Sequence, residues 1–377
     1  MIPRDLGKLL QQRMFQGKAL ILLGARQIGK TTLVKSLSSQ FAEGEKVYLN
    51  CDEPSTKSLL TNASLENLRR IVGTAKLVVV DEAQRVPNIG LTLKLITDNL
   101  PEVQLIVTGS SALDISSEVN EPLTGRKFEY QMFSVSYPEL IDYQGFTKSF
   151  GQLEERMIFG MYPEVVMKPE QAQLQLRNLV SSYLYKDLFN LEGIRKPQVL
   201  EKLVLALAWQ VGHEVSLNEL ANSLQVNKDT INSYIDLLEK AFVVFRLSPF
   251  SRNLRNEITT SRKIYFYDTG IRNAVIDNFE PFSKRNDIGQ LWENFMIAER
   301  MKMNSYAERF RRSYFWRTHA QQEIDYVEET SGKLFAYEFK WNPNKKVKFP
   351  TTFISNYDVG ETMAVTPENF MDFLERP

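Results

Sequence analysis

The residues with the clearest chemical potential form the segment GARQIGKTT, which runs from Gly24 to Thr32. Their spacing fits the pattern G-x-x-x-x-G-K-[ST], whose glycines let backbone N–H groups turn inward around a phosphate. In this pattern the lysine reaches the β- and γ-phosphates, and the following hydroxyl binds Mg²⁺. We therefore predict a site for ATP with Mg²⁺ whose contacts come from Gly24, Ala25, Arg26, Gln27, Ile28, Gly29, Lys30, Thr31 and Thr32.

Two adjacent acids, Asp81 and Glu82, follow the apolar run VVV at residues 78–80. Carboxylates at the end of a buried strand are costly to desolvate unless a cation compensates their charge. Asp81 is accordingly predicted to hold Mg²⁺ together with Thr31, and Glu82 to polarise the attacking water. Lys30 and Glu82 are thus predicted catalytic residues for hydrolysis of the γ-phosphate.

A second group of acids lies near the C-terminus, on two predicted strands of a hairpin. Glu338 and Lys340 are two positions apart and share one face of a strand, and Asp325 lies on the preceding strand. Glu293, on a predicted helix, adds a third carboxylate. Two or three acids with a lysine are typical of a metal site for phosphodiester hydrolysis. A solvated hairpin of alternating charge shows the same spacing, so both interpretations stay open.

The elements that would position the first site alternate between strands and helices. Strands are predicted at residues 19–24, 46–51, 76–83 and 103–111, and helices at 31–41, 65–72 and 91–100. Near-continuous apolar strands joined by helices predict a parallel sheet that is covered on both faces. The fold class of this part is therefore α/β.

The middle of the chain predicts helices followed by a β-ribbon. The helices are predicted at residues 199–212, 216–226 and 227–244, and an apolar strand at 243–250. This order is that of a winged helix-turn-helix, a module that binds DNA or protein. The range 246–272 adds six basic residues against two acidic ones, a cluster that can neutralise phosphates. Double-stranded DNA is the predicted partner of this module and its basic hairpin, and a protein partner stays open.

Four segments together resemble a family of prokaryotic AAA-type ATPases related to the signal-transduction ATPases with numerous domains. They are residues 24–32, 81–84, 108–111 and 123–126. The resemblance implies ATP hydrolysis, a winged-helix module and a C-terminal domain. It also implies that Thr108 senses the γ-phosphate and that Arg126, in the loop LTGR, acts as an arginine finger or sensor.

The C-terminal pattern resembles the PD-(D/E)XK nuclease fold. One helix at residues 289–303 precedes three short strands, and a final strand and helix close the chain. Asp325, Glu338 and Lys340 match the motif, and Glu293 lies in the first helix. Ile324 stands where the motif has proline. The resemblance implies either an active metal nuclease or a related fold with an inactive site.

Composition limits the other classes of function. The sequence has 46 basic and 46 acidic residues, so the molecule as a whole does not attract nucleic acid electrostatically. One cysteine, Cys51, excludes an internal disulfide framework and fits a reducing compartment. The N-terminus lacks the apolar core of a secretory signal, and no run of apolar residues is long enough to cross a membrane. A cytoplasmic location is expected.

Four ranges are predicted to divide the chain. They are a P-loop ATPase domain (1–150), a helical lid (151–200), a winged helix-turn-helix with a basic hairpin (201–275) and a restriction-endonuclease-like α/β domain (286–377). The favoured function is an ATPase switch or motor that couples hydrolysis to DNA or to a protein partner, and the chain is expected to form homo-oligomers. An ATP-dependent metal nuclease and a nucleotide-gated signalling scaffold without nuclease activity are the alternatives.

Overall fold

The computed structural model describes residues 1–110, 122–185, 196–251 and 262–375. The chain divides into two compact units. Unit 1 comprises Met1–Val135 with Lys240–Phe242, and unit 2 comprises Ser136–Glu239 with Val243–Pro377. Residues 136–150, which the sequence groups with the ATPase range, lie in unit 2. There the ring of Tyr137 packs edge-on against the rings of Phe295 and Phe370.

The sheet of unit 1 has five strands. They are β1 (Ala19–Leu23), β2 (Lys46–Asn50), β3 (Leu77–Asp81), β4 (Gln104–Gly109) and β5 (Lys127–Gln131). All neighbouring strands are parallel, in the order β2-β3-β4-β1-β5, which confirms the predicted parallel α/β architecture. Because β4 lies between β1 and β3, the residues that follow these three strands meet at one edge of the sheet.

Strands β1, β3 and β4 are buried along their whole length, as their apolar sequences predict. The edge strand β5 is only partly buried and was not predicted, although its sequence KFEYQ alternates polar and aromatic residues as a half-buried strand does. The described helices of this unit are α1 (Asp5–Arg13), α2 (Lys30–Ser38), α3 (Pro54–Leu60), α4 (Leu65–Val72) and α5 (Ile89–Asn99). Of these, α1 and α3 were not predicted.

The sheet of unit 2 has seven strands. They are β6 (Glu214–Val215), β7 (Val244–Pro249), β8 (Arg262–Phe266), β9 (Arg312–Arg317), β10 (Glu323–Thr330), β11 (Lys333–Phe339) and β12 (Val359–Val365). Their order is β12-β11-β10-β9-β7-β8-β6, and their directions are mixed. Parallel pairing of β7 with β9 places Ser248 opposite Tyr314. Strands from the ranges 201–275 and 286–377 therefore share one continuous sheet.

The structure describes the following helices from residue 137 onward. They are α6 (Tyr137–Gln144), α7 (Phe146–Gly151), α8 (Leu153–Phe159), α9 (Pro163–Met167), α10 (Ala172–Leu179), α11 (Pro197–Trp209), α12 (Leu217–Leu224), α13 (Lys228–Lys240), α14 (Thr269–Val275), α15 (Ile288–Tyr306), α16 (Thr351–Asn356) and α17 (Phe370–Glu375). At the start of α12 the hydroxyl of Ser216 accepts the N–H of Glu219, the N-terminal cap that the sequence predicts. The predicted helix at 181–191 extends beyond the described residues.

Candidate functional site

The predicted phosphate loop connects β1 to α2 at the carboxyl end of the parallel strands. Gly29 (φ +97°) and Gln27 (φ +60°) both lie in the left-handed region, so the backbone turns on either side of Ile28. At Gly24 a Cβ atom would lie 2.3 Å from the carbonyl oxygen of Met132, so only glycine fits there. Close packing at Gly24 and the turn at Gly29 thus explain the two glycines of the motif.

Lys30 begins α2 and is 4% exposed. Its ammonium donates hydrogen bonds to the carbonyl oxygens of Gly24 and Ala25, each at 2.8 Å. Burial lowers the pKa of Lys30 to about 8, and the charges of Glu82 and Asp81 partly oppose this effect. Among the described residues no carboxylate forms an ion pair with this ammonium. A buried cation of this kind is suited to bind an anion.

Arg4 supports the loop from outside, and the sequence gave no sign of this contact. Its guanidinium donates to the carbonyl oxygen of Ile28 at 2.8 Å and to that of Phe133 at 2.6 Å. The chain between Arg4 and Phe133 is 129 residues long, so no local pattern could reveal the contact. The N-terminal segment therefore fixes the phosphate loop in place.

Asp81, at the end of β3, accepts hydrogen bonds from three hydroxyl groups. The hydroxyl of Thr31 lies 3.0 Å from Oδ2, and those of Tyr48 and Thr108 also donate to the carboxylate. The predicted Mg²⁺ ligands Thr31 and Asp81 are thus brought together. Tyr48 was not foreseen; it shares a face of the sheet with Asp81 because Asn50, two residues later on β2, pairs with Asp81. Burial and the bond to Asp81 raise the pKa of Tyr48.

Thr108, the predicted γ-phosphate sensor, lies next to the two acids. Its side chain is completely buried on β4, donates to Asp81 and accepts the backbone N–H of Glu82 at 3.0 Å. These two contacts position the two acids, and the role of Thr108 as a γ-phosphate sensor stays a prediction. Ser111, from the same predicted segment, lies outside the described residues.

Glu82 follows Asp81 with a positive φ of 55°. For a residue other than glycine this conformation costs roughly 1–2 kcal/mol. The hydrogen bond from its N–H to Thr108 holds the turn, so the predicted water-polarising carboxylate leaves the sheet next to Asp81. Such strain is found most often at functional sites.

Arg126 lies at the wrong end of the sheet to serve a nucleotide bound by its own chain. The backbone N–H of Ala19, at the start of β1, donates to its carbonyl oxygen, whereas the phosphate loop follows the end of β1. Five residues of strand separate the two ends by roughly 15 Å. The guanidinium of Arg126 pairs instead with Asp98. A role as arginine finger could concern only a nucleotide on another copy of the chain.

The loop and the two strand ends suit Mg-ATP. The buried Lys30 ammonium offers a charge to phosphate oxygens, and α2 directs its positive N-terminal end toward the same place. The hydroxyl of Thr31 and the carboxylate of Asp81 are hard oxygen ligands of the kind that Mg²⁺ prefers. Of the remaining predicted contacts, Ala25 and Ile28 are buried, Arg26 is half-buried, and Gln27 and Thr32 are exposed.

Three of the four described basic residues in the range 246–272 form ion pairs inside unit 2. Arg246 pairs with Asp236 and Glu239 of α13. Lys263 and Arg272 are buried, and they pair with acids of the C-terminal region. Arg252 and Arg255 lie outside the described residues. The charges that the sequence assigns to a basic hairpin are therefore not all available to phosphates.

The C-terminal acids form a cluster, but they contact lysines. Lys340 Nζ lies 2.7 Å from Glu338 Oε2 and 3.2 Å from Asp325 Oδ2, so three of the predicted residues meet on β10 and β11. Glu293 instead contacts Lys263 of β8 at 3.1 Å, and that ammonium also lies 2.7 Å from Glu323. Within the described ranges no group of three or more His, Cys, Asp or Glu side chains is arranged to hold a metal ion.

Two acids of this cluster have pKa values well above the usual range for a carboxyl group. Burial raises the pKa of Glu293 to about 7, although Lys263 opposes the shift. Burial and the adjacent charge of Asp325 raise the pKa of Glu338 to about 7 as well. Burial alone would lower the pKa of Lys263, but the carboxylates around it raise this pKa. Lysine ammonium groups thus occupy the places where a metal ion would neutralise these acids.

Three family models match successive parts of the chain. Residues 16–141 match the model described as AAA domain, residues 151–281 match the domain of unknown function DUF8612, and residues 288–371 match the domain of unknown function DUF4143. The chain therefore contains an AAA-type P-loop domain followed by two regions for which the models state no function.

Relatives and solved structures extend the comparison. An uncharacterized protein of Mycobacterium tuberculosis (strain H37Rv) is 27% identical over 346 residues, which cover 89% of this chain and 73% of the relative. One of Methanocaldococcus jannaschii is 21% identical over 342 residues, covering 84% and 74%. AMPPCP-bound DnaA from Aquifex aeolicus is 13% identical, covers 62% of this chain and 86% of its own, and has a TM-score of 0.29. In the described ranges no helix has the length and apolarity to cross a membrane.

Proposed function

We propose that unit 1 binds Mg-ATP and hydrolyses its γ-phosphate. One observation carries the proposal: Lys30, Thr31, Asp81 and Glu82 come from two separated segments and converge at one edge of the parallel sheet. The match of residues 16–141 to the AAA domain supports it independently.

Each residue has a distinct part in the proposed reaction. The N–H groups of the phosphate loop and the ammonium of Lys30 bind the β- and γ-phosphates. Thr31 and Asp81 would hold Mg²⁺, which neutralises charge on these phosphates. Glu82 accepts a proton from the attacking water. Tyr48 and Thr108 keep the Asp81 carboxylate in position.

Replacing Glu82 by glutamine tests the hydrolytic step. The amide keeps the shape of the side chain but does not accept the proton, so phosphate release should fall about 100-fold or more. Affinity for a non-hydrolysable ATP analogue, measured by calorimetry, should stay within about threefold because Lys30 and Thr31 are intact.

The exposed Glu102, also in unit 1, supplies the matched control. Glu102→Gln should release phosphate at the rate of the parent protein. Equal rates in Glu82→Gln and the parent would remove Glu82 from the mechanism, and a parent protein that binds the analogue without releasing phosphate would favour the nucleotide-gated scaffold.

We further propose that the ATPase acts on a partner held by residues 197–266. The order α11, β6, α12, α13, β7 and β8 supports a winged helix-turn-helix interpretation. Lys228 and Asp229, at the exposed start of α13, balance each other in charge. Duplex DNA stays the proposed partner, with weaker electrostatic support than the sequence indicates. Action of Arg126 on a second copy of the chain, and hence assembly into oligomers, also stays a proposal.

Phosphodiester hydrolysis by the C-terminal region is a second candidate function. Its support is the crowding of Asp325, Glu338 and Glu293, two of which have pKa values raised to about 7. The described side chains do not themselves form a metal-binding arrangement, and Lys263 and Lys340 occupy the centre of the cluster.

Supercoiled plasmid incubated with the full chain and Mn²⁺ at low salt tests both ideas at once. A retarded plasmid reports binding, and an open circle reports cleavage. Cleavage should be lost in Asp325→Ala and retained in Asp358→Ala, whose carboxylate is exposed. Cleavage that survives Asp325→Ala excludes Asp325 as a catalytic ligand, and a plasmid that is neither retarded nor cut leaves a protein as the partner.

A further inference from the structure

Gln84 contacts both the proposed base Glu82 and the end of β4. It lies in the short 3-10 turn Ala83–Arg85, two residues after Glu82. Its Nε2 donates to Glu82 Oε2 at 2.5 Å and to the hydroxyl of Ser110, at the end of β4, at 2.8 Å. Because an ionised carboxylate can only accept hydrogen bonds, the nitrogen of the amide must face Glu82. This contact fixes which way the carboxamide of Gln84 points.

The other end of the same amide is incomplete. The Oε1 atom of Gln84 is buried and has no hydrogen-bond donor among the described residues. A buried acceptor without a partner costs about 1–3 kcal/mol, and such atoms are rare in folded proteins. The two contacts of Nε2 prevent the amide from turning its oxygen elsewhere. The described residues therefore supply no donor to this atom, and a bound water would satisfy it.

We propose that this donor is the attacking water and that Gln84 positions it, an inference that rests on the ATPase function proposed above. A water has two O–H groups. One would donate to the carboxylate of Glu82 and the other to Oε1 of Gln84, which leaves a lone pair of the water free to attack. The two acceptors belong to side chains already hydrogen-bonded to each other, so their spacing is set before the water binds.

The reaction then balances as an ordinary hydrolysis. The water oxygen forms a bond to the γ-phosphorus while the bond from that phosphorus to the bridging oxygen breaks. ADP leaves with the electron pair of the broken bond. Glu82 takes one proton of the water, and Gln84 keeps its hydrogen bond to the other throughout. Gln84 is thus a positioning residue, and Glu82 remains the base.

The same amide also connects Glu82 to β4. Ser110 is buried at the end of the strand that lies between the phosphate-loop strand β1 and the acidic strand β3. A shift of this strand end would move Gln84 and, through it, the side chain of Glu82. The positions of Glu82 and its water therefore depend on β4, at the centre of the sheet, as well as on the turn.

Gln84→Met in the full chain is the direct test, because methionine keeps the length and volume of the side chain and removes both the donor and the acceptor. We expect kcat for phosphate release to fall about 10- to 100-fold. KM for ATP and the calorimetric affinity for a non-hydrolysable analogue should each stay within about threefold. Gln40→Ala, which removes an exposed glutamine in the same unit, should match the parent protein in every measurement.

The remaining outcomes separate this inference from the function on which it rests. If Glu82→Gln loses activity while Gln84→Met keeps kcat within twofold, or changes KM alone, the ATPase function stands and the role of Gln84 is overturned. An equal loss of kcat and of analogue affinity also overturns it, since that result indicates a displaced phosphate loop. A parent protein that releases no more phosphate than Lys30→Ala overturns both.

Discussion

Replacing Lys30 by alanine is expected to reduce phosphate release from ATP by at least about 100-fold and to weaken ATP binding. The ammonium is buried at the centre of the phosphate loop and, among the described residues, has no acidic partner in an ion pair. Its charge is therefore available to a phosphate, and in a low-dielectric site such a contact stabilises the transition state by several kcal/mol. Steady-state phosphate release and calorimetry with a non-hydrolysable analogue measure the two effects.

Lys57→Ala is the control for this substitution, because Lys57 is an exposed lysine in the same unit. It should leave both measurements unchanged. Lys30→Arg should not restore activity, since the planar guanidinium cannot take the place of the compact ammonium between two carbonyl oxygens that it contacts at 2.8 Å. Phosphate release by Lys30→Ala at the rate of the parent protein would contradict the nucleotide site itself.

Replacing Glu328 by alanine is expected to destabilise unit 2 by about 3–5 kcal/mol. Glu328 and Arg300 are fully buried and form a two-pronged ion pair, with distances of 3.0 and 2.9 Å. Arg311 adds a further contact to the same carboxylate at 2.6 Å. Removing the acid leaves the Arg300 guanidinium buried without its counter-charge, which is much more costly than the pair was favourable.

Tryptophan fluorescence can follow this unit by itself in a urea titration. All four tryptophans, Trp209, Trp292, Trp316 and Trp341, belong to unit 2. The neighbouring Glu329 is half-buried and points to the other face of β10, so Glu329→Ala should change the free energy of unfolding by less than about 1 kcal/mol. Unfolding midpoints that coincide for Glu328→Ala and the parent would show that the buried pair adds nothing to stability.

Local sequence patterns were sufficient to single out the residues that converge at the proposed nucleotide site. Gly24, Gly29 and Lys30 follow from the geometry of a loop that wraps a phosphate, and this geometry involves only neighbouring residues. Asp81 and Glu82 were recognisable because two acids directly after a buried strand are costly to desolvate unless a cation compensates their charge. The parallel sheet followed from the apolar strands, and the cap at Ser216 from its spacing to Glu219.

Long-range contacts were beyond the reach of the same patterns. Arg4 donates to Ile28 of the phosphate loop and to Phe133, which lies 129 positions along the chain, and Tyr48 reaches Asp81 only through the register of β2 with β3. Thr108 reaches Asp81 because β4 lies next to β3 in the sheet. Arg126 directly precedes β5, which runs parallel to β1, and therefore lies at the opposite end of the sheet from the phosphate loop. Strand order and register depend on how distant segments pack together, and periodicity contains no information about either.

The sequence by itself thus determined that this protein has a phosphate loop, a pair of strand-end acids and a charged C-terminal hairpin, because each is a pattern of residues close together in the chain. Only the tertiary structure decided what surrounds them. It places Gln84 against Glu82, and it joins β7 to β9 so that Lys263 of a neighbouring strand enters the C-terminal acid cluster. Folding brings together charged side chains that are distant in sequence, and their attraction is stronger in the buried, low-dielectric interior than in water.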